Sequence, residues 1–152
     1  MGRAKYQVLV IPYCKTAEGI LYCMLKRSDM ADCWQFVAGG GEAEDASPII
    51  SAKREALEEA GVPFELPMCQ LDSTCSISTE HFPKARAVWG EDCLVIPEYS
   101  FAVELPQQSI LLSDEHTDFM WVDYDTAQQK LQYDSNRVAL WELDNRIKMG
   151  AI

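Results

Sequence analysis

The sequence lacks three features that would narrow its function at once: a long apolar run, paired metal-binding cysteines and an excess of positive charge. No apolar run approaches the roughly 18 residues of a membrane-spanning helix, and no signal-peptide pattern opens the chain. Acidic residues number 24 against 13 lysines and arginines, so the formal net charge is −11. Because nucleic-acid backbones are bound by lysine and arginine, this balance disfavours a nucleic-acid polymer as partner. We expect a cytoplasmic protein with neither a membrane nor a nucleic-acid partner.

The cysteines have no C-x-x-C spacing, which argues against a structural zinc site. Several lie in strand-like apolar surroundings, where cysteine behaves as a small hydrophobic residue. We therefore predict that all six are reduced thiols: Cys14, Cys23, Cys33, Cys69, Cys75 and Cys93. The length of 152 residues predicts a single domain over residues 1–152.

What the sequence does contain is an acidic pattern in residues 54–61, Arg-Glu-Ala-Leu-Glu-Glu-Ala-Gly. Glu55, Glu58 and Glu59 are spaced i, i+3 and i+4, so an α-helix would bring them to one face. Three neighbouring carboxylates repel one another unless they lie in open water or hold a cation. A set of oxygen ligands favours a hard divalent ion, Mg²⁺ or Mn²⁺.

Local signals predict where this helix begins and ends. Ser47 and Pro48 are typical of an N-cap and a first helical position, and Gly61 is typical of a left-handed residue after the last turn. The predicted helix spans residues 48–60, with one side packed on a core. The glycines at 39–41 are predicted to form a loop in which the backbone can approach a ligand closely.

Residues 40–62 resemble the Nudix box, G-x5-E-x7-R-E-U-x-E-E-x-G-U, in which U is aliphatic. The residues that match in register are Gly40, Arg54, Glu55, Glu58, Glu59, Gly61 and Val62. Two positions depart from the pattern: Ala46 replaces the first glutamate, and the first aliphatic position is the small Ala56. Glu44 or Asp45, which directly precede Ala46, could supply the missing acid.

The resemblance implies a Mg²⁺-dependent (or Mn²⁺-dependent) pyrophosphohydrolase that cleaves a diphosphate linkage in a nucleoside triphosphate or a related nucleoside-diphosphate compound. Glu55 and Glu59 are the best pair of metal ligands, and Glu58 either joins them or acts as general base, as Glu59 also could. Arg54 would orient a carboxylate through a bidentate salt bridge. Glu115, just before an aromatic strand, corresponds to a frequent extra metal ligand or general base of the family.

The predicted elements form an ordered α/β pattern. Strands are predicted at 6–13, 20–26, 34–37, 68–78, 93–105 and 118–122, helices at 48–60, 124–131 and 136–149, and a long loop or irregular hairpin at 79–92. This order fits an α/β/α sandwich with a mixed β-sheet between helices, which is also the Nudix architecture.

Several residues are candidates for binding the substrate. By resemblance, Arg27 faces the substrate phosphates; the alternative is a surface charge at a strand end. Gly40 and Gly41 would let the backbone approach the ligand. In the 79–92 loop, Arg86 could meet phosphate while Trp89 or Phe82 stacks on a base; the alternative is an ordinary surface loop.

The identity of the substrate stays open. Residues 113–121 and 134–137 resemble the C-terminal part of bacterial dihydroneopterin triphosphate and dATP pyrophosphohydrolases; a nucleotide or dinucleotide pyrophosphatase of another preference is the wider alternative. Ala46 keeps open a different class, a Nudix-fold nucleotide-binding or regulatory module with weak turnover. His116 could bind a substrate group or be structural. The resemblance also implies a homodimer.

Overall fold

The computed structural model describes residues 2–152, in which seven strands form one mixed sheet. The strands are β1 (Arg3–Thr16), β2 (Gly19–Arg27), β3 (Trp34–Gln35), β4 (Val37–Glu42), β5 (Met68–Ser78), β6 (Val95–Glu104) and β7 (His116–Val122). The helices are α1 (Pro48–Ala60), α2 (Pro83–Trp89), α3 (Tyr124–Lys130) and α4 (Asp134–Lys148). Within this part of the chain, no helix has the length and apolar character needed to cross a membrane.

The long strand β1 organises the sheet. One of its edges pairs antiparallel with β4 along its first part and with β2 at its end. The other edge pairs in parallel with β6, which in turn pairs antiparallel with β5. Strands β3 and β7 both pair with β2. Because β1 contacts three strands, it brings the box region and the second half of the chain into one sheet.

Successive residues of β1 point to opposite faces of the sheet, as expected of a strand. Val8 and Val10 pack on the alanine face of α1, where Ala52 and Ala56 are fully buried. Small alanine side chains let the helix lie close to the sheet. The helix was predicted to pack one side on a core, and this prediction is confirmed.

The opposite face of the sheet is covered by α3 and α4. Leu9 and Ile11 of β1 pack there with Leu140 and Leu143 of α4. Helices therefore lie on both sides of a mixed sheet, and the predicted α/β/α sandwich is confirmed. Burying each of these large side chains contributes about 1.5–3 kcal/mol.

Helix α1 has the predicted bounds, and its C-terminal signal acts as expected. Gly61 has a φ of 68°. Its N–H donates to Leu57 O, and the N–H of Val62 donates to Ala56 O, which satisfies carbonyls at the end of the helix. Ser47 occupies the N-cap position but makes no side-chain capping bond.

The predicted glycine loop is wrong. Residues Gly39, Gly40 and Gly41 lie in β4, paired with β1. The glycines were interpreted as turn residues because glycine disfavours strands. The sheet nevertheless accepts them, because side chains from other elements occupy the space where their Cβ atoms would be.

The predicted long loop at 79–92 is also wrong. A 3-10 turn covers Thr79–His81, and α2 follows at Pro83–Trp89. Pro83 is well suited to the first turn of a helix, but a seven-residue helix is too short to show a clear apolar period. The final helix also begins earlier than predicted, at Asp134, and ends at Lys148.

A buried hydrogen bond joins the sheet to α4 and generates a test of the fold. Tyr22 Oη donates to Asp144 Oδ1 at 2.7 Å, and both residues are almost fully buried. We expect Tyr22→Phe to lower the free energy of unfolding by about 1–3 kcal/mol, because it leaves a buried acceptor without its donor. Urea denaturation measures this change. The matched control Tyr124→Phe, at a partly buried phenol, should cost less; equal losses would contradict the assignment.

Candidate active site

A cleft of about 1070 Å³ lies between the sheet and the start of α4. Its floor includes Gln7, Glu98 and Cys75, which stand side by side because β1, β6 and β5 pair in that register. Glu59 of α1 and His116 of β7 lie in its wall. A space of this size accommodates a nucleotide-sized ligand.

Glu59 is the most unusual carboxyl of the cleft. It is only 3% exposed, and its Oε2 atom has no hydrogen-bond partner. Burial raises the pKa of Glu59 to about 10, and the adjacent Glu55 and the charges of Glu115 and Glu58 act in the same direction. Desolvation and like charge both disfavour the ionised form. A cation bound here would remove that cost.

His116 is the neighbour of this carboxyl across the cleft wall. Its Nε2 lies 3.6 Å from Glu59 Oε1, and its buried Nδ1 has no hydrogen-bond partner. Burial lowers the pKa of His116, so the neutral imidazole is favoured at neutral pH. The pair is therefore not a strong ion pair.

Arg54 holds the first part of the acidic pattern in place. Its Nη1 donates to Glu55 Oε1 at 2.9 Å, and its Nη2 donates to Asp45 Oδ2 at 2.7 Å. The same Asp45 oxygen accepts from Ser51 Oγ at 2.6 Å. Asp45, which sequence reasoning considered as a substitute acid for Ala46, is thus engaged by Arg54 and Ser51. These bonds raise the pKa of Arg54 and lower that of Asp45.

The strand glycines make room for site side chains. A Cβ atom on Gly39 would lie 2.2 Å from Glu55 Cδ, and one on Gly40 would lie 2.5 Å from Arg3 Nε. A Cβ on Gly41 would meet the ring of Tyr6. Gly40 and Gly41, predicted to approach the substrate, therefore lie against side chains of β1.

Two other predicted residues, Arg27 and Glu115, line the cleft, whereas Glu58 does not. Arg27 Nε donates to Asp29 Oδ1 at 2.7 Å. The Glu58 side chain is 58% exposed, with Oε2 at 3.8 Å from Arg54 Nη1.

The two candidates on α2 lie outside the wall of the cleft. Trp89 Nε1 donates to Arg3 O at 2.8 Å, and Arg86 Nη2 donates to Glu91 O at 3.2 Å. Phe82, at the start of this segment, does line the cleft.

Sequence reasoning missed the polar residues of the cleft floor. Gln7, Gln35 and Glu98 each stand next to apolar residues of a strand, and each could have been noticed as a polar residue at such a position. Asn136, the first residue of the predicted last helix, is buried, and its Oδ1 accepts from Phe36 N at 2.9 Å.

The residues around Glu59 fit a divalent metal in their chemistry. Glu55 and Glu59 offer carboxylate oxygens as ligands. Glu59 Oε2 has no hydrogen-bond partner and is available to a metal ion. Within residues 2–152, no three His, Cys, Asp or Glu side chains are already gathered for a metal. Mg²⁺ commonly binds through one or two carboxylates and keeps several waters, so the pair suffices.

Comparison with known proteins identifies the family of the chain. The family described as NUDIX domain matches residues 5–141. The chain belongs to the Nudix family. The match spans nearly all of the sheet, α1 and about half of α4, so the predicted family membership is confirmed.

Relatives of this Nudix protein include a dihydroneopterin triphosphate diphosphatase from Haemophilus influenzae, 33% identical over 88% of this chain and 83% of the relative. A solved structure from Listeria monocytogenes, assigned to the Nudix hydrolases, is 44% identical and covers 97% of each chain with a TM-score of 0.84. The dihydroneopterin triphosphate pyrophosphohydrolase of E. coli is 26% identical, covers 92% of this chain and 94% of that one, and has a TM-score of 0.73.

These findings confirm the predicted class of activity. The protein is a Nudix hydrolase, an enzyme that acts on phosphoric anhydrides, with pyrophosphohydrolase activity on nucleoside-triphosphate-like substrates. Hydrolases of this family generally use divalent metals such as Mg²⁺. The homodimer stays a prediction.

The contact between β4 and α1 generates a test of how Glu55 is positioned. Gly39→Ala would place a methyl group on the Glu55 carboxyl, so we expect kcat to fall by about 10–100-fold through displacement of that side chain. The fold should persist, because the displaced atoms belong to a flexible side-chain end. The control Gly2→Ala, where a Cβ meets nothing within 4 Å, should keep full activity. Unchanged kcat in Gly39→Ala would refute the positioning role.

The buried Glu59 carboxyl generates a prediction about pH and stability. Its pKa is raised from 4.5 to about 10 in the folded protein, so the native state holds the proton more tightly than the unfolded state. The free energy of unfolding should therefore fall as pH rises between these two values. From about pH 6 to about pH 8 without metal, the wild type should lose on the order of 1–3 kcal/mol relative to Glu59→Gln. Urea titrations of both proteins measure the difference; parallel pH profiles would contradict it.

Proposed function

We propose that this Nudix hydrolase converts dihydroneopterin triphosphate, or a nucleoside triphosphate of similar shape, to the monophosphate and pyrophosphate with Mg²⁺. The observation that carries the proposal is the buried Glu59 beside Glu55 at a cleft with room for a nucleotide-sized ligand. Two relatives that act on dihydroneopterin triphosphate supply the substrate candidate.

Glu55 and Glu59 would hold the metal. When bound, Mg²⁺ neutralises charge on phosphoryl oxygens and lowers the pKa of water. Arg54 contributes by fixing the position of Glu55, since its guanidinium donates hydrogen bonds to both Glu55 and Asp45. Glu58, which is largely exposed, could add a ligand after a side-chain rotation.

Glu115 is the best candidate for general base. It lines the same cleft as Glu59, and its charge helps to raise the pKa of Glu59. A carboxylate here could take a proton from the attacking water as its oxygen bonds to phosphorus and the bond to the pyrophosphate oxygen breaks. The proton then passes to solvent.

Arg27 is proposed to bind substrate phosphate. It lines the cleft and is about one-third exposed, so its guanidinium is accessible. Its present partner Asp29 is also exposed, and a surface pair of this kind contributes little. A phosphate can therefore compete for the arginine. For stacking on the base, cleft geometry favours Phe82 over Trp89.

A nucleotide-binding module with weak turnover is the second candidate. Two observations favour it: Ala46 replaces the box glutamate, and Asp45 is engaged by Arg54 and Ser51. Retention of Glu55, Glu58 and Glu59 together with Arg54 favours the enzyme instead.

Phosphate and pyrophosphate release from a panel of substrates with Mg²⁺ separates the two candidates. The panel contains dihydroneopterin triphosphate, nucleoside triphosphates, sugar nucleotides and dinucleotides. Pyrophosphate release from dihydroneopterin triphosphate at the highest kcat/KM would support the proposal. Binding without turnover of any compound would favour the module.

Glu59→Gln tests the assigned site directly. We expect kcat to fall by about 10²–10⁴-fold, because the variant removes a metal ligand or proton acceptor. The matched control Glu18→Gln, an exposed glutamate in the turn between β1 and β2, should keep wild-type activity. A loss below about tenfold in Glu59→Gln would contradict the role given to Glu59.

A further inference from the structure

A second buried carboxyl lies in the floor of the same cleft, and the proposed hydrolysis does not use it. Glu98 is 5% exposed and sits in the middle of β6, between β1 and β5. Burying a carboxyl in a sheet is costly unless strong hydrogen bonds compensate it. Its burial among the strands of the sheet therefore calls for hydrogen-bond donors.

Three side chains of the protein offer hydrogen bonds to Glu98. Its carboxyl faces the side chains of Cys75, Ser135 and Gln7. Cys75 Sγ lies 3.6 Å from Glu98 Oε1, and a thiol is a poor donor. Within residues 2–152, none of the salt bridges involves Glu98. An ionised carboxylate has about four acceptor positions, so these three neighbours, one of them a thiol, leave acceptor capacity toward the cleft that Glu98 lines.

The position of Glu98 suits the base of the substrate rather than its phosphates. Glu98 and Gln7 share a row across the sheet on the side of α4. The acids near the proposed metal site, Glu59 and Glu115, line the same cleft from α1 and the segment before β7. The phosphates of the substrate would be bound by Arg27 and by a metal held at the acids. Its base would then lie over the sheet floor, because Glu98 would repel phosphate.

A carboxylate can only accept hydrogen bonds, and its two oxygens match two N–H groups that lie side by side. A 2-amino-4-oxopyrimidine ring, which both pterin and guanine contain, presents such a pair: a ring N–H next to an amino group. Adenine presents an amino group next to a ring nitrogen that bears a lone pair. That lone pair would oppose a carboxylate oxygen.

We propose that Glu98 is a specificity-determining residue that binds the paired N–H groups of a 2-amino-4-oxopyrimidine ring, so that pterin and guanine triphosphates are preferred to adenine triphosphates. The inference deepens the proposed function and rests on it for the placement of the phosphates. It also separates the two substrate chemistries suggested by the C-terminal segments, since a pterin has this edge and an adenine lacks it.

The shift in acidity of Glu98 is consistent with such a ligand. Burial raises the pKa of Glu98, whereas its polar neighbours lower it only in part. Two N–H donors from a ligand would favour the charged form further. Glu98→Gln would replace one acceptor by a donor, which converts the edge to one that suits adenine.

The first test measures kcat/KM for GTP and ATP in the wild type and in Glu98→Gln. We expect the wild type to favour GTP by at least about tenfold and the variant to lower that ratio by about 10–100-fold. The matched control Glu104→Gln, an exposed glutamate on the same strand, should keep the wild-type ratio. A wild type that prefers ATP, or a Glu98→Gln ratio within about twofold of wild type, would overturn the proposal.

A second test needs no variant of Glu98 and no turnover. Equilibrium binding of GTP, ITP and ATP is measured with the Glu59→Gln protein in the presence of Mg²⁺. ITP lacks the amino group of GTP, so we expect its affinity to be lower by about tenfold or more. Equal affinities for GTP and ITP would overturn the role of Glu98 even if the enzyme hydrolyses triphosphates. Discrimination at this step without hydrolysis by the wild type would instead reject only the proposed function.

Discussion

The active site depends on the burial of a carboxyl next to other carboxyls. Glu59 is almost excluded from water, and Glu55 lies against it. Such an arrangement disfavours the ionised form of Glu59, and a bound cation would relieve that cost. Arg54 neutralises part of this charge and is itself held by Asp45. The contacts around α1 thus hold its carboxyls in positions where they could bind a metal.

The sheet determines what this helix faces. Because β1 pairs with β4 on one edge and with β6 on the other, the glycine strand comes under α1 and the polar floor comes beside α4. Glycine in β4 lets Glu55 rest on the backbone. The same pairing aligns Gln7 with Glu98, so one strand links the proposed phosphate end of the cleft to its proposed base end.

Predictions from the sequence were right where the structure depends on residues close together in the chain. They were wrong where it depends on contacts between distant segments. Helix α1 was predicted with its observed bounds because proline and glycine at its ends act within one turn. The glycine segment was misjudged because glycine has no intrinsic preference for a strand, and the side chains that require it come from β1 and α1. The segment after β5 was misjudged because a short helix has too few residues to reveal a period. Trp89 and Arg86 were consequently assigned to a binding loop, whereas both bond backbone carbonyls away from the cleft wall.

By itself, the sequence determined the family, the bounds of α1 and a set of candidate acids for a metal, because these depend on spacing along one helix. Only the tertiary structure decided which of these acids is buried, that Asp45 bonds Arg54, and that Glu98 and Asn136 meet at one cleft. The physical reason is that burial and the partners of a charged group come from strands and helices far apart in the chain. Local spacing specifies which groups are available, and the packing of the sheet specifies their acidity and what they face.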